Sequence, residues 1–308
     1  MNYHTLGRTG LKVSEIALGT VSLGADYGLP APGEFGRPGR SDALRVIQMA
    51  ADAGINLFDT APAYGDAEAL LGDALAARND CFIATKVSVP QNGIRSISET
   101  IPASLEKSLR SLKRDAVDIV QVHNATTDVI EAGAILEALI DAKTAGKIRF
   151  VGVSVYTDAE AIAAIQSGTV DMIQIAFSIL DQRKMHAVIP EAKKHNIGVL
   201  SRSALLKGAL SLKALHLPTE LEALKVAASR VRDVLNVSWE ELPSAAVRFC
   251  VDANGIDSVL IGPRTLTELE QALHVVSLPK LNEIVMTDLQ KLGLTDERLV
   301  NPALWPIK

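Results

Sequence analysis

Two apolar runs, Cys81-Phe82-Ile83-Ala84-Thr85-Lys86 and Val117-Asp118-Ile119-Val120-Gln121-Val122-His123, flank a helical pattern at about 98–112. A strand, helix, strand succession of this kind is the unit of a parallel sheet. Its strands are covered on both faces and so read as near-continuous apolar runs, while the helix carries the chain back to the same end. Each run finishes in an ionisable side chain, Lys86 or His123. An ammonium at the end of a buried strand is costly to desolvate and needs an anion close by. The run before it, at about 55–58, is followed by Asp59. Adjacent strands lie only about 4.8 Å apart, so Asp59 is the partner that this spacing offers.

The same alternation extends over the chain. Strands are predicted at about 15–19, 55–58, 81–85, 117–122, 149–153, 171–175, 197–201 and 257–261. Helices are predicted between them at about 41–53, 66–77, 98–112, 130–144, 157–167, 184–195, 240–253 and 265–275. Eight βα units in 308 residues suit one closed (β/α)8 TIM barrel as a single domain. Ala145-Gly146-Lys147 and Asn196-Ile197-Gly198 read as helix exits. Tyr3 to Leu6 and Leu11 to Ser14, flanking Gly7-Arg8-Thr9-Gly10, read as an N-terminal β-hairpin. Two connections are long. Gly24 to Arg40 holds five glycines and three prolines, and Ser203 to about Glu240 contains a helical pattern from about Thr219 to Leu235. Both follow strand C-termini, the face on which barrel active sites lie, and so should sit at the barrel mouth. A further helix is expected near 281–292, ahead of a tail that reaches Trp305.

Composition narrows the function. Hydrophobic residues make up 48% of the chain and aromatic ones 4%, which points to a core of Ala, Val, Ile and Leu. With a net charge of -5 there is no general basic field for nucleic acid or an anionic membrane, and any cofactor phosphate must be held locally. Cys81 and Cys250 stand alone without a C-x-x-C or His-rich context and read as buried apolar residues, with no metal site. No signal sequence or spanning run is visible, so a cytoplasmic protein is the expectation. The absence of G-x-S-x-G, of a Walker loop and of clustered histidines argues against a serine hydrolase, a nucleotide hydrolase and metal-assisted chemistry. These absences favour a reaction whose difficult part is carried by an organic cofactor.

Tyr64, in Phe58-Asp59-Thr60-Ala61-Pro62-Ala63-Tyr64-Gly65, falls at the same mouth as Asp59, Lys86 and His123. A free phenol ionises near pH ~10, and a neighbouring ammonium favours the phenolate. Lys86, held by Asp59, is expected to bring Tyr64 toward the working range. His123 would bind the oxygen of a substrate carbonyl, and Tyr64 would protonate it as hydride arrives. In their order these segments resemble the Asp, Tyr, Lys and His tetrad of the aldo-keto reductase superfamily. The opening Leu6-Gly7-Arg8-Thr9-Gly10-Leu11-Lys12-Val13-Ser14, then Leu18-Gly19-Thr20, resembles that family too, as does Ile261-Gly262-Pro263-Arg264.

The resemblance implies a nicotinamide cofactor at the late strands, although no G-x-G-x-x-G follows any strand. It assigns Thr20 to the cofactor site, Ser154 and Gln174 to the carboxamide, and Phe177 to the ring in place of a tyrosine. Ser203, Leu205, Lys207 and Gly208 match the loop over the pyrophosphate. Gly262 and Arg264 match the adenosine phosphate, for which the arginine fork is well shaped. Three positions depart from the family pattern. Val155 replaces an asparagine, Ala272 stands where an asparagine is usual, and Glu268 puts a carboxylate where it would repel a 2'-phosphate or accept from a 2'-hydroxyl. NADP is therefore expected, with NAD kept open by Glu268. The substrate would be a small carbonyl compound or a sugar. Reduction of an aldehyde or ketone leads. The galactose and fucose dehydrogenase branch, a pyridoxal-type aldehyde and a cofactor-binding regulatory subunit with little turnover remain as alternatives. Oligomeric state is not legible.

Overall fold

In the computed structural model, residues 1–30, 36–89 and 97–306 are described. A hairpin of β1 (Tyr3–Thr5) and β2 (Lys12–Ser14) precedes the barrel strands. Those are β3 (Ile16–Gly19), β4 (Leu57–Asp59), β5 (Phe82–Ser88), β6 (Val117–His123), β7 (Ile148–Ser154), β8 (Met172–Ala176), β9 (Gly198–Arg202) and β10 (Ser258–Ile261). Among the described residues these eight parallel strands close on themselves, β10 pairing with both β9 and β3. Each coincides with one of the apolar runs.

Along the chain the α-helices are α1 (Val21–Gly24), α2 (Arg40–Asp52), α3 (Ala67–Leu75), α4 (Ile97–Leu112), α5 (Thr127–Ala132), α6 (Ala134–Thr144) and α7 (Asp158–Gln166). After them come α8 (Val188–Lys194), α9 (Glu222–Leu235), α10 (Leu242–Asp252), α11 (Leu266–His274), α12 (Glu283–Gln290) and α13 (Glu297–Val300). Helix α4 shows why they pack outside the strands. Ile101, Leu105, Leu109 and Leu112 recur every three or four residues, giving one apolar stripe that is buried. At α7 the Thr157 side chain and the Glu160 carboxylate cap each other's backbone amides, so the start of that helix is set by sequence.

Two apolar clusters result. The larger lies between the strands and the outer helices. The smaller fills the barrel floor, where Leu6, Leu11 and Val13 of the hairpin region meet Ala17, Leu57, Ala84, Ile119, Met172 and Leu200. The contact is close at Gly7, whose φ is +45° and whose Cβ, if present, would lie 2.1 Å from the Gly198 nitrogen. Residues two apart on a strand share a face. The inward positions above this floor are therefore Asp59, Lys86, Gln121, Gln174 and Arg202.

Several connections differ from expectation. The helix predicted at 130–144 is broken by Gly133, whose left-handed φ of +73° ends α5 and starts α6. The short α1 precedes the first long connection, in which residues 31–35 lie outside the described residues, as do 307–308 of the tail. The predicted exits at Gly146 and Asn196 do take left-handed backbone.

On the floor, burial pushes the Asp257 carboxyl up to about 6, against backbone amide donors that include Val199 N at 2.8 Å. A carboxyl whose pKa is raised on folding binds its proton more tightly when folded. Its stabilising contribution is complete below the unfolded value of about 4 and is lost as pH rises through 6. Asp257→Asn should accordingly flatten the decline in thermal unfolding midpoint between about pH 4 and 6. Parallel declines for the parent and the variant would show that Asp257 does not titrate in that interval.

Candidate active site

The mouth is built from strand ends. Asp59 closes β4, Lys86 lies near the end of β5, and His123 ends β6, while Tyr64 follows β4 in the turn that leads to α3. Lys86 is 1% exposed, and its Nζ donates to Asp59 Oδ2 at 2.5 Å and to the Thr60 carbonyl at 2.9 Å. The same ammonium lies 5.0 Å from the centre of the Tyr64 ring, within cation–π range. His123 meets Tyr64 edge to face, with ring centroids 5.7 Å apart at 87°. The four side chains named from sequence are thus brought together.

Their electrostatics are set mainly by burial. Desolvation lowers Lys86 below the ordinary ammonium range, opposed by Asp59. His123 falls to about 4, first through burial and then through the charge of Lys86, so its imidazole is neutral near pH 7. Tyr64 is raised, by burial first and by Asp59 next. This departs from the expectation that the ammonium would dominate the phenol. The ring is half-buried and the Asp59 charge adds to the effect of burial, with Arg202 as the opposing cation, so the resting phenol is protonated at neutral pH.

Further contacts complete the site, among them those of two residues, Gln121 and Arg202, that the sequence reading passed over. Gln121 and Gln174 donate from Nε2 to the second Asp59 oxygen, Oδ1, at 2.9 and 2.8 Å. Arg202, at the end of β9, stacks 4.4 Å over the Tyr156 ring and donates to the Val155 carbonyl at 3.2 Å and Ser203 Oγ at 3.3 Å. Its charge reaches Tyr64, Lys86 and His123. The signal for both residues was in the sequence. Gln121 is a polar residue two positions before His123, and Arg202 stands two beyond Leu200, so each shares the inward face of its strand.

The residues assigned to a cofactor fall in three groups. Thr20, Ser154 and Gln174 are buried at the mouth, Thr20 Oγ1 donating to the Asp59 carbonyl at 3.0 Å. Ser203, Leu205, Lys207 and Gly208 form the turn after β9, where Ser203, Leu206 and Lys207 all hold positive φ. Strain of this kind gathers at ligand clamps. Across the mouth, Leu29 N donates to the Lys207 carbonyl at 3.0 Å, and the Lys207 ammonium lies 5.9 Å from the Tyr27 ring centre. Gly262 accepts from Ser22 Oγ at 3.0 Å. Arg264 and Glu268, at the start of α11, bind each other. Glu268 accepts from the Arg264 backbone N–H at 2.6 Å and from its guanidinium at 3.0 Å.

Phe177 is not brought to the mouth. It is fully buried and stacked on Phe249 of α10, with ring centroids 5.8 Å apart, on the outer side of the sheet. It lies just past the end of β8 and joins the outer core, which leaves the ring no open face. The remaining donors suit an anionic dinucleotide, with the Lys207 and Arg264 cations and a backbone turn for phosphate and buried Ser154 and Gln174 for an amide. Among the described residues no His, Cys, Asp and Glu cluster could hold a metal, and no helix is long and apolar enough to cross a membrane.

Comparison with known proteins gives matches over nearly the whole chain. The aldo/keto reductase family model matches residues 15–293. The chain is 29% identical to L-galactose dehydrogenase of Arabidopsis thaliana over 98% of its own length and 94% of that protein's. It is 29% identical to the NADH-specific methylglyoxal reductase of Escherichia coli, over 88% and 93%. An aldo-keto reductase from Bacillus halodurans, solved in its holo form, superposes with a TM-score of 0.81 at 25% identity, covering 97% of this chain and 99% of that one.

Proposed function

This chain belongs to the aldo/keto reductase family and is an NAD(P)H-dependent oxidoreductase, and from that premise we propose that it interconverts an aldehyde or ketone with its alcohol, using Tyr64 as the proton donor. The observation that carries the reading is the buried Lys86–Asp59 ion pair directly behind a phenol that faces a neutral imidazole.

When bound, the nicotinamide cofactor supplies the hydride. The protein does the rest. Neutral His123 offers a ring N–H to the carbonyl oxygen and orients it. As negative charge grows on that oxygen, Tyr64 donates its O–H, and the phenolate left behind is stabilised by the Lys86 ammonium beneath its ring. Asp59 keeps that ammonium in place. In the oxidative direction the Tyr64 phenolate accepts the alcohol proton. General acid catalysis of this kind is worth on the order of 10²- to 10⁴-fold.

Ser154 and Gln174 would hold the carboxamide, Ser203 to Gly208 the pyrophosphate, and Arg264 the adenosine end. Because Glu268 already engages Arg264, a 2'-phosphate has to compete with a carboxylate for the guanidinium. That supports use of both cofactors and fits the NADH specificity of the methylglyoxal-reducing relative. Arg264→Ala should weaken NADPH binding by about 1.5–3 kcal/mol, the range for hydrogen bonds to charged groups, and leave NADH nearly unchanged. Glu268→Gln should strengthen NADPH. Titration of both cofactors against both variants checks this, and equal changes for NADH and NADPH would show that neither residue reads the phosphate.

A second reading, oxidation of an aldose or its lactol, is favoured by the likeness to L-galactose dehydrogenase over nearly the whole chain. Absorbance assays of the purified protein against aldehydes, ketones and sugars, with each cofactor in parallel, separate the two. Cofactor binding without turnover of any of them would instead support a regulatory subunit.

A further inference from the structure

Gln121 is a polar side chain of the barrel interior to which the mechanism above gives no task. Gln121 is fully buried, and its Nε2 donates to Asp59 Oδ1. Its Oε1 is also buried and makes no hydrogen bond among the described residues. Turning the amide over would set Oε1 against a carboxylate oxygen. Its orientation is therefore imposed by Asp59, at the expense of an unsatisfied acceptor. Room has been left for it as well. A Cβ at Gly152, on the adjacent strand β7, would lie 3.0 Å from Gln121 Cγ and 2.5 Å from Met172 Sδ.

Resting on the reading of Lys86 and Asp59 as the pair behind Tyr64, we propose that Gln121 is a positioning residue whose amide fixes Asp59 Oδ1 and its negative charge, so that Oδ2 stays turned to Lys86 and the pair remains carboxylate and ammonium. In a buried pair both charges are penalised, and transfer of the proton from nitrogen to oxygen would remove both. Hydrogen bonds to the ionised carboxylate oppose that transfer. Among the described residues, Lys86 Nζ and the Gln174 amide are the other side-chain donors to the Asp59 carboxylate. Around Lys86 stand Asp59 of β4, Tyr64, Glu68 of α3, His123 of β6 and Arg202 of β9. Glu68 is tied to Thr85 Oγ1 at 2.6 Å. The Arg202 charge disfavours the ammonium, while Glu68 and Asp59 favour it.

The test is a carbon NMR titration of lysine labelled at Cε, in the full chain, with Lys86→Met used to assign the Lys86 resonance. In Gln121→Leu the Lys86 midpoint should fall by on the order of one pH unit, with cofactor affinity retained. Alcohol oxidation should reach its plateau at correspondingly higher pH, because a neutral amine no longer favours the phenolate. Gln121→Glu keeps the volume and can donate only while protonated. Its Lys86 signal and turnover should match the parent on the acid side and diverge as the new carboxyl ionises, which keeps the question open to measurement if the leucine variant does not fold. An unchanged Lys86 titration in either folded variant overturns the role. If the midpoint falls while neither parent nor variant turns over any carbonyl compound, the assignment of Gln121 stands and the function proposed above fails.

Discussion

Tyr64→Phe will lose carbonyl reduction by on the order of 10²- to 10⁴-fold in kcat, with cofactor affinity almost unchanged. The substitution removes one oxygen and keeps the ring that packs against His123 and lies over Lys86. The loss should therefore appear in the chemical step and not in folding or binding. Single-turnover rates and cofactor titration on the same preparation check this. Retention of most of the activity would mean that another group donates the proton, and His123, with its pKa pulled down to about 4, would then be the first to examine.

Lys86→Met should be comparably severe for turnover, and it should also cost stability. It leaves the Asp59 carboxylate buried without its cation, a loss of about 3–5 kcal/mol for a broken buried pair. The double variant Asp59→Asn with Lys86→Met removes both charges, so its thermal midpoint should recover while its turnover stays low. Asp59→Asn alone should be milder, because Lys86 keeps the Thr60 carbonyl at 2.9 Å. The pH dependence has a definite sign. Without the ammonium the phenolate is less favoured, the Tyr64 pKa rises further, and alcohol oxidation reaches its plateau at higher pH. Recovery of turnover along with stability in the double variant would mean that the charge on Lys86 takes no part in the reaction.

Asp59, Tyr64, Lys86 and His123 were legible in the sequence for a reason that also explains Phe177. Each of the four follows or ends an apolar run, and in a parallel barrel the C-terminal strand ends converge whatever the loops do. Phe177 follows a run too, yet it lies three residues past the inward Gln174, so the two-residue alternation sets it with Ile173 and Ile175 on the outer face. A stacking partner on α10, Phe249, claims it for the outer core.

The sequence by itself determined the number and order of the strands, the hairpin beneath them and the residues at the mouth, because burial on both faces and a period of two are written locally. Only the tertiary structure decided how charge is shared there. That Arg264 is bound by Glu268, that Arg202 turns in over Tyr156, and that two glutamines divide the Asp59 carboxylate with Lys86 all depend on closing the barrel. Closure sets Gln121 and Gln174 on one oxygen from positions 62 and 115 residues away, a distance over which no local pattern carries information.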